Sequence, residues 1–282
     1  MVKVKVKVFI NQAVDSYAKR VEPLLLQKEG CNNLMLGIMN RLKENKTDCF
    51  LGWVEANGEI IYAFLRTPPH NWILPDIEVN SLDFIPVITN YLYQHGYEVP
   101  GVLGPIKYAK AFAQQWEEKS GKTASVHMNE LIYQLDRVQI EYPLPGQLIQ
   151  AELADHALLA KWLLLFGEEA NAPIDESRAS SLAAEFLHKQ TAYFLQIGEN
   201  KVSMANKSRE TKHGATINAV YTPDKYKKKG YATSVVSQLS QKLLNDGYQF
   251  CSLYTDLSNP TANNIYKKIG YYKIGSAIVY LF

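Results

Sequence analysis

The sequence predicts an α+β protein of two domains, and three observations support this prediction. Runs with an apolar residue at every second position, typical of half-buried strands, alternate with runs whose apolar residues recur every three to four positions, typical of amphipathic helices. The order of these runs in the first half of the chain recurs in the second half. A length of 282 residues with 47% hydrophobic residues suffices for one large domain or two of ordinary size.

The first half opens with alternating valine and lysine, which predicts a strand that buries its valines. Asn57-Gly58 between two apolar runs predicts a hairpin. A proline-rich run at 67–79 separates the hairpin from the following elements. The predicted strands of this half cover residues 2–10, 49–56, 59–66, 97–103 and 123–135. The predicted helices cover residues 13–28, 32–44, 81–95 and 106–119.

Residues 136–146 contain two prolines and a glycine and are interpreted as a linker, which sets the predicted domains at 1–138 and 139–282. In the second half, one helix is predicted from Tyr231 to a stop at Asn245, and another between the N-cap Asn259 and Gly270. Two further helices are predicted at 155–167 and 175–189. The predicted strands cover residues 147–153, 191–198, 201–207, 214–222 and 250–255, followed by terminal strands.

The two halves agree in the order of their predicted elements and, locally, in their letters. The residues QHGY at 94–97 correspond to NDGY at 245–248. We interpret this agreement as an internal duplication. The alternative is a coincidental likeness between two halves of the same α+β order.

A basic loop that contains a glycine lies between a predicted strand and a predicted helix of the second half. The first N–H groups of a helix lack internal partners and the helix dipole favours negative charge there, while Gly230 lets a ligand approach the backbone. The pattern predicts a phosphate-binding loop, although it lacks the spacing of nucleotide-hydrolysing and dinucleotide-binding loops. A solvated basic corner is the alternative. The lysines of this loop are Lys225, Lys227, Lys228 and Lys229.

Two motifs in the second half resemble the GCN5-related N-acetyltransferase (GNAT) superfamily. The segment Lys227-x-x-Gly230-x-Ala232, preceded by Val220-x-x-Pro223, resembles motif A of that family, Q/R-x-x-G-x-G/A. Lysine stands where the family prefers arginine or glutamine, which keeps a positive charge and loses the planar fork of arginine. The second signature of the family, N-x-x-A-x-x-x-Y-x-x-x-G-[FY], is matched by Asn259, Ala262, Tyr266, Gly270 and Tyr271.

This resemblance implies two GNAT-like domains, each a mixed, mostly antiparallel twisted sheet flanked by helices. The second domain is then expected to bind acetyl-CoA as acyl donor and to catalyse direct transfer of the acetyl group to an amine in a ternary complex. The first half has the proline-rich run at 67–79 where a basic glycine loop belongs. It is therefore expected to be a degenerate copy without a cofactor site of its own.

The resemblance also implies roles for individual residues. Residues 217–222 would diverge from the neighbouring strand and offer backbone partners to the pantetheine arm, and the loop N–H groups would hold the pyrophosphate. The N–H of Val220 is the candidate oxyanion donor, and Tyr266 is the candidate acid for the leaving thiolate. The predicted cofactor-binding residues are Ala219, Val220, Tyr221, Thr222, Lys227, Lys228, Lys229, Gly230, Tyr231, Ala232, Thr233, Asn259, Asn263 and Tyr266.

The general base remains open at this point. The central strand offers Asn218 and has no Asp or Glu between Gly214 and Thr222, so a water chain is one alternative. Carboxylates that join two predicted helices are another, and they could line the acceptor pocket. Tyr266 is also compatible with a core position, and Asn259 with a helix cap alone. The candidate carboxylates are Glu168, Glu169, Asp175 and Glu176.

Composition narrows the expected partners. A net charge of +2 argues against general polyanion binding, so no nucleic-acid partner is expected. Three cysteines at unrelated spacings indicate buried thiols in a reducing cytoplasm, with Cys251 in a core strand, and six histidines share no metal-ligand spacing. No signal-peptide pattern occurs and no apolar run reaches about 18 residues, which predicts a cytoplasmic protein that does not span a membrane.

The expected activity is therefore that of an N-acetyltransferase acting on a small-molecule or peptide amine. The alternative is a module that has kept the fold to bind CoA or a partner without turnover. A nucleic-acid binder that uses the lysine corner needs a broad basic face, which a nearly neutral chain does not predict. The identity of the acceptor and the oligomeric state stay open.

Overall fold

The computed structural model describes residues 6–45, 47–79, 81–140 and 144–282. The start of the first predicted strand and the middle of the predicted linker therefore lie outside the described residues. The chain divides into two compact units. The first unit holds the described residues up to Ile132 together with Ile274–Phe282, and the second unit is Tyr133–Lys273. None of the described helices has the length and apolarity that a membrane crossing requires.

The sheet of the first unit begins at one edge with β1 and runs through β2, β3, β4 and β5 to the last strand of the chain, β12. Neighbours in this sheet are antiparallel except for β4 and β5, which are parallel. The elements of the first half are β1 (Val6–Asn11), α1 (Val14–Leu25), α2 (Asn33–Glu44), β2 (Phe50–Ala56), β3 (Glu59–Arg66), β4 (Trp72–Ile73), α3 (Phe84–Gln94), β5 (Gly101–Pro105), α4 (Ile106–Ser120) and β6 (Ser125–Leu135).

The sheet of the second unit has the order β11-β10-β9-β8-β7. Its neighbours are antiparallel except for β10 and β11, which are parallel. The elements of the second half are β7 (Gln147–Gln150), α5 (His156–Glu169), α6 (Glu176–His188), β8 (Ala192–Ile197), β9 (Asn200–Glu210), β10 (Gly214–Tyr221), α7 (Tyr231–Asn245), β11 (Phe250–Asp256), α8 (Pro260–Ile269) and β12 (Tyr272–Leu281).

The element order of the first half recurs in the second half. In both, a strand is followed by two helices, three strands, a helix, a strand, a helix and a strand. The predicted class, α+β with mixed and mostly antiparallel sheets flanked by helices, is confirmed. The halves differ at their fourth strand, since β4 has two residues and β10 has eight. The sequence did not predict β4, because two residues among prolines are too few to show a period.

The compact units differ from the predicted domain boundaries at the end of the chain. Residues 274–282 belong to the first unit, where Leu281 of β12 pairs with Gly101 of β5. The N–H of Phe282 donates to the carbonyl of Pro100 at 3.1 Å. The separate terminal strands that were expected are one strand, β12. Its partner lies far away in the sequence, so no local pattern indicates the pairing. The roles assigned to the two domains stay a prediction.

Close packing of β12 against β5 makes a stability prediction. A Cβ added at Gly101 would lie 2.4 Å from the backbone carbonyl oxygen of Tyr280, which is too close for either strand to keep its place. We expect Gly101→Ala to lower the free energy of unfolding by about 1–3 kcal/mol, measured by urea denaturation. A milder substitution at a half-buried position of the same strand pair, Tyr280→Phe, removes one hydroxyl group and serves as the control. A Gly101→Ala variant as stable as the control would contradict this strand pairing.

All three cysteines are buried free thiols. The Sγ of Cys251 lies 3.7 Å from the carbonyl oxygen of Ser240, and burial raises the pKa of this thiol to about 12. A thiol that stays protonated at neutral pH in a sealed position is a poor nucleophile. The prediction that Cys251 is a core residue is confirmed.

Candidate active site

Strands β10 and β11 diverge in the middle of the second unit. Their parallel register covers only residues 214–216 and 250–252, and it ends where the Oγ1 of Thr216 meets the Oγ of Ser252 at 3.0 Å. The next five residues of β10 continue without a partner in β11. This edge therefore keeps backbone N–H and C=O groups that can pair with another extended molecule.

A β-bulge in β10 lies in this diverging part. The register with β9 shifts between Asn218 and Tyr221, and Ala219 has a φ of 48°. A non-glycine residue rarely adopts this left-handed conformation, and such strain is concentrated at functional sites. Val220, the candidate oxyanion donor, lies inside the bulge, so its backbone is released from the regular ladder with β9.

The basic loop leads from β10 to an uncapped helix start. Gly230 is the N-cap of α7 with a φ of 80° and no side-chain cap, and the first intrahelical bond is from the N–H of Ser234 to the carbonyl of Gly230. The backbone N–H groups of residues 230–233 therefore have no partner in the helix. A Cβ added at Gly230 would meet no heavy atom within 4 Å, so the space in front of these groups is open.

The lysines of the loop differ in whether they form ion pairs. Lys228 and Lys229 are exposed, and Lys228 has a φ of 61°. Lys227 forms ion pairs with Glu169 of α5 and with Asp224, the latter at 2.7 Å. Burial alone would lower the pKa of Lys227, but hydrogen bonds to Asp224 and Glu169 raise it. Lys227 is thus charged and partly neutralised by carboxylates, a feature that the motif did not predict.

The end of β10 is held in place by buried hydroxyl groups. The Oγ of Ser203 on β9 donates to the carbonyl of Tyr221 at 3.0 Å and lies 2.8 Å from the Oγ1 of Thr222. Burial raises the pKa of Tyr221, and the neighbouring charge of Glu169 adds to this effect.

The ring of Tyr231, at the start of α7, packs edge-on against Tyr226 with 6.4 Å between centroids.

The start of α8 presents one unused polar atom. The Oδ1 of Asn259 accepts from the N–H of Ala262 at 3.0 Å, which confirms its role as the helix cap. Asn263 is 7% exposed, and its Nδ2 donates to the carbonyls of Asp256 and Asn259 at 3.1 and 2.8 Å. Within the described residues its Oδ1 has no hydrogen-bond partner. A buried acceptor of this kind is expected to receive a donor from a ligand or an ordered water.

Tyr266 of α8 is only 8% exposed, and among the described residues no hydrogen bond contributes to the shift of its pKa. Its ring lies between Tyr133 and Tyr271, at centroid distances of 6.4 and 5.9 Å. Burial raises the pKa of Tyr266 to about 12. By contrast, the hydroxyl of Tyr271 lies 2.8 Å from the Oγ of Ser240. Tyr266 is thus a hydrogen-bond donor that stays protonated at neutral pH.

The predicted acceptor-side carboxylates are only partly free. Asp175 accepts from the N–H of Arg178 at 2.7 Å as the N-cap of α6, and Glu169 is paired with Lys227. Glu168 acts electrostatically on Tyr221, as Glu169 does, so both lie near the end of β10. In the described ranges, no three His, Cys, Asp or Glu side chains come together as a metal site.

One polar residue beside the bulge was not predicted. Asn206 of β9 is 2% exposed, and its Nδ2 donates to the Oδ1 of Asn218 at 2.9 Å. Residues two apart on a strand share a face, so Asn206 lies on the same face of β9 as the buried Met204. A polar residue at such a position is the sequence signal that would have identified Asn206.

These features fit the cofactor that the motifs imply. Backbone N–H groups at a helix start and exposed lysines suit phosphate groups, and the free edge of β10 suits an arm that carries amides. The unpartnered Oδ1 of Asn263 can accept from an amide N–H. Acetyl-CoA has a pyrophosphate group followed by an amide-containing arm, so the donor and acceptor types along the site agree with it.

Comparison with known proteins supports the fold. Residues 195–280 match the family model described as FR47-like protein. No curated protein matches the sequence. Among solved structures, a GNAT-family acetyltransferase from Colwellia psychrerythraea has a TM-score of 0.61 at 11% identity, covering 98% of both chains. A GCN5-related N-acetyltransferase from Sphaerobacter thermophilus has a TM-score of 0.63 at 11% identity, covering 98% of this chain and 94% of that one.

A third solved structure, a tandem GNAT protein from the clavulanic acid biosynthesis pathway, has a TM-score of 0.57 at 11% identity and covers 98% of both chains. At this identity the likeness is one of fold. The chain thus has the GNAT fold in tandem, which confirms the resemblance predicted from the two motifs.

Proposed function

We propose that this protein is an N-acetyltransferase that transfers the acetyl group of acetyl-CoA to an amine in a ternary complex. The observation that carries the proposal is the opening between β10 and β11, which leads directly to the uncapped start of α7. A strand edge with unused backbone groups beside an anion-binding helix start suits the arm and the pyrophosphate of the cofactor.

In this proposal several groups of the second unit bind acetyl-CoA together. The N–H groups of residues 230–233, with Lys228 and Lys229, hold the pyrophosphate. The backbone of residues 219–222 pairs with the pantetheine arm, and the Oδ1 of Asn263 accepts one of its N–H groups. When bound, the cofactor supplies an activated acetyl thioester.

Val220 and Tyr266 provide two of the groups that attack by an amine on the thioester needs. The N–H of Val220, released by the bulge, is placed to stabilise negative charge on the acetyl oxygen. Tyr266 donates a hydrogen bond to the departing sulfur. Because its pKa of about 12 lies above that of a thiol, near 8.5, Tyr266 stabilises the thiolate more readily than it protonates it fully. As the amide bond forms and the carbon–sulfur bond breaks, the nitrogen loses one proton to solvent, which balances the negative charge of the departing thiolate.

The first unit is expected to hold no second cofactor. Where β10 and β11 diverge, β4 stays paired with β5 at Trp72 and Ile73, and the N–H of Leu74 continues the pairing to the carbonyl of Leu103 at 2.8 Å. The following residues are fixed as well, since the hydroxyl of Tyr62 donates to the carbonyl of Pro75 at 2.8 Å. The proposed stoichiometry is one acetyl-CoA per chain.

The direct test is calorimetric titration of acetyl-CoA into the whole protein, followed by measurement of CoA thiol release with amines. We expect one site per chain and acetyl-CoA turnover that depends on an amine. Absence of binding would overturn the proposal.

A second candidate function is a CoA-binding module without turnover. The observation that favours it is Lys227, whose charge is engaged by two carboxylates, together with a central strand that carries Asn218 in place of a carboxylate. Tight acetyl-CoA binding without turnover of any amine would support this candidate over the enzyme.

The ion pairs of Lys227 lead to a prediction about affinity. We expect Glu169→Gln to tighten acetyl-CoA binding about two- to fivefold at low salt, because Lys227 would no longer share its charge with that carboxylate. The gain should vanish at high salt, where exposed charges are screened. Glu185→Gln on α6 removes a comparable exposed pair with Lys189, the residue that follows this helix, and is expected to leave the affinity unchanged. Equal affinities in the two variants at low salt would contradict the prediction.

A further inference from the structure

Two asparagines lie next to the bulge, at the position where a carboxylate base would be expected. Asn218 of β10 pairs in register with Asn206 of β9, and Asn206 Nδ2 donates to Asn218 Oδ1 at 2.9 Å. The Oδ1 of Asn206 is buried and has no partner among the described residues. This bond uses one lone pair of Asn218 Oδ1, and the second lone pair remains. The pair therefore holds unused acceptor capacity in the middle of the sheet.

The face on which this pair lies follows from the register. Asn206 is opposite Ala192 of β8 as well as Asn218, and directly opposed residues share one face of a sheet. Ala192 belongs to the core that includes Trp162 of α5 and Ala183 of α6. The asparagine pair thus faces α5 and α6, on the side whose connecting segment was predicted to line the acceptor pocket. Asn218 is only half-buried, so this position is open to a ligand.

The chemistry of an amide differs from that of a carboxylate in one decisive way. An amide oxygen can accept a hydrogen bond from an N–H group, but it cannot take a proton at neutral pH. An amine held by such a group is oriented without being deprotonated. It must therefore arrive with a free lone pair.

The charged groups on the elements packed against β10 do not act as a base at the Asn206–Asn218 pair. The register partner of Asn218 is an amide, and the nearest carboxylate of β9 in this ladder, Glu210, is opposite Ala215 and paired with Lys207. Glu169 is paired with Lys227. The elements packed against β10 carry several titratable or charged side chains. They are His156, Lys161, Glu168 and Glu169 of α5, Lys201, Lys207, Arg209 and Glu210 of β9, Tyr231 and Lys242 of α7, Cys251, Tyr254 and Asp256 of β11, and Asp224 and Lys227 of the loop.

From this geometry we infer that Asn218, held by Asn206, positions the acceptor nitrogen, and that the acceptors are primary amines whose neutral form is well populated in solution at the working pH. The inference rests on the proposed function. In the step it describes, the amine nitrogen forms a bond to the acetyl carbon and the carbon–sulfur bond breaks. The sulfur leaves with the bonding electrons, and the proton lost by nitrogen passes to solvent and balances the thiolate. The favoured class has weakly basic amino groups, such as peptide α-amines, rather than lysine-like amines.

The test compares two amine probes with the full-length protein at saturating acetyl-CoA. One is a dipeptide amide whose α-amine has a pKa of about 8, and the other is an Nα-blocked lysine amide with a pKa of about 10.4. The measured quantity is kcat/KM for CoA thiol release as a function of pH. We expect the rate with each probe to rise with pH up to the pKa of that probe, and the dipeptide to be the better substrate near pH 7.

Four variants distinguish a role of Asn218 in positioning the acceptor from a role in the stability of the fold. Asn218→Ala is expected to raise the acceptor KM about tenfold while leaving the acetyl-CoA affinity unchanged. Asn206→Leu should have a smaller effect in the same direction, and Asn218→Asp should make the pH profile less dependent on the probe. Asn200→Leu, an exposed change on the same strand β9, is the control and should match the original protein. Circular dichroism and thermal unfolding check that each variant folds.

Three results would overturn the inference. A pH limb at the same position for both probes would indicate a protein base such as Glu168. An unchanged acceptor KM and kcat in Asn218→Ala would remove the positioning role, and failure to turn over either probe while acetyl-CoA binds would remove the substrate class. Failure of acetyl-CoA to bind at all is a different outcome, because it would overturn the proposed function itself.

Discussion

Gly230→Trp is expected to weaken acetyl-CoA binding at least about 100-fold, which corresponds to about 2.8 kcal/mol. The space in front of Gly230 is open, and the N–H groups proposed to hold the pyrophosphate border it. An indole group placed there would occupy the volume that the phosphates need. The positive φ of Gly230, 80°, also disfavours any side chain, so some loss of stability is expected in addition. Calorimetric titration measures the affinity, and thermal unfolding measures the stability.

The matched control is Gly247→Trp, immediately beyond the other end of α7. Gly247 also has a positive φ, 105°, and open space around its Cβ position, so the two variants share the backbone strain and the added bulk. Only the change at Gly230 lies at the proposed phosphate site. If both variants lose affinity equally, the loss reflects a damaged helix rather than a blocked cradle, and the site assignment would be wrong.

Tyr266→Phe is expected to lower kcat by about 100-fold or more while leaving the acetyl-CoA affinity within about twofold of the original. The change removes only the hydroxyl group, whose pKa is shifted by burial and not by a hydrogen bond to the described residues. Little stability is therefore at stake. The measurement is steady-state CoA release with an amine, together with calorimetric titration of acetyl-CoA.

The pH dependence gives a second test of the same residue. Burial raises the pKa of Tyr266 to about 12, so its hydroxyl stays protonated through the whole range in which an assay is practical. The original protein should then show no loss of kcat on the alkaline side below about pH 11 from this group. A fall in kcat near pH 10 that disappears in Tyr266→Phe would contradict the raised pKa.

Tyr271→Phe is the control for this prediction. Its hydroxyl lies 2.8 Å from that of Ser240, so its removal is expected to lower the free energy of unfolding by about 1 kcal/mol without changing kcat. The two tyrosines thus predict opposite patterns, activity loss for one and stability loss for the other. If Tyr266→Phe loses stability and keeps its turnover, Tyr266 is a core residue.

The local elements of this protein could be predicted from the sequence because each depends on neighbouring residues. The hairpin at Asn57-Gly58, the cap at Asn259 and the glycine that starts α7 are local conformational preferences, and the structure has each of them. The motif around Gly230 located the basic loop for the same reason. It joins a strand and a helix that are adjacent in sequence.

The remaining features depend on contacts between distant residues, which a local pattern does not encode. The divergence of β10 from β11 after Thr216 was expected from the family resemblance and not from a local pattern, because it depends on two strands that are distant in the sequence. The sequence does not indicate that Glu169 reaches Lys227 or that Asn206 meets Asn218, because each pair is brought together by packing. The placement of β12 beside β5 is similar.

The sequence by itself thus determined the class of fold, the duplication and the position of the basic loop in the second half. These follow from periodicity and from a glycine at a helix start, both of which are properties of short segments. Only the tertiary structure decided which backbone groups are left unpaired, which charges are already neutralised and which amide lies at the centre of the sheet. Those properties belong to pairs of residues, and pairing is settled when the strands and helices pack.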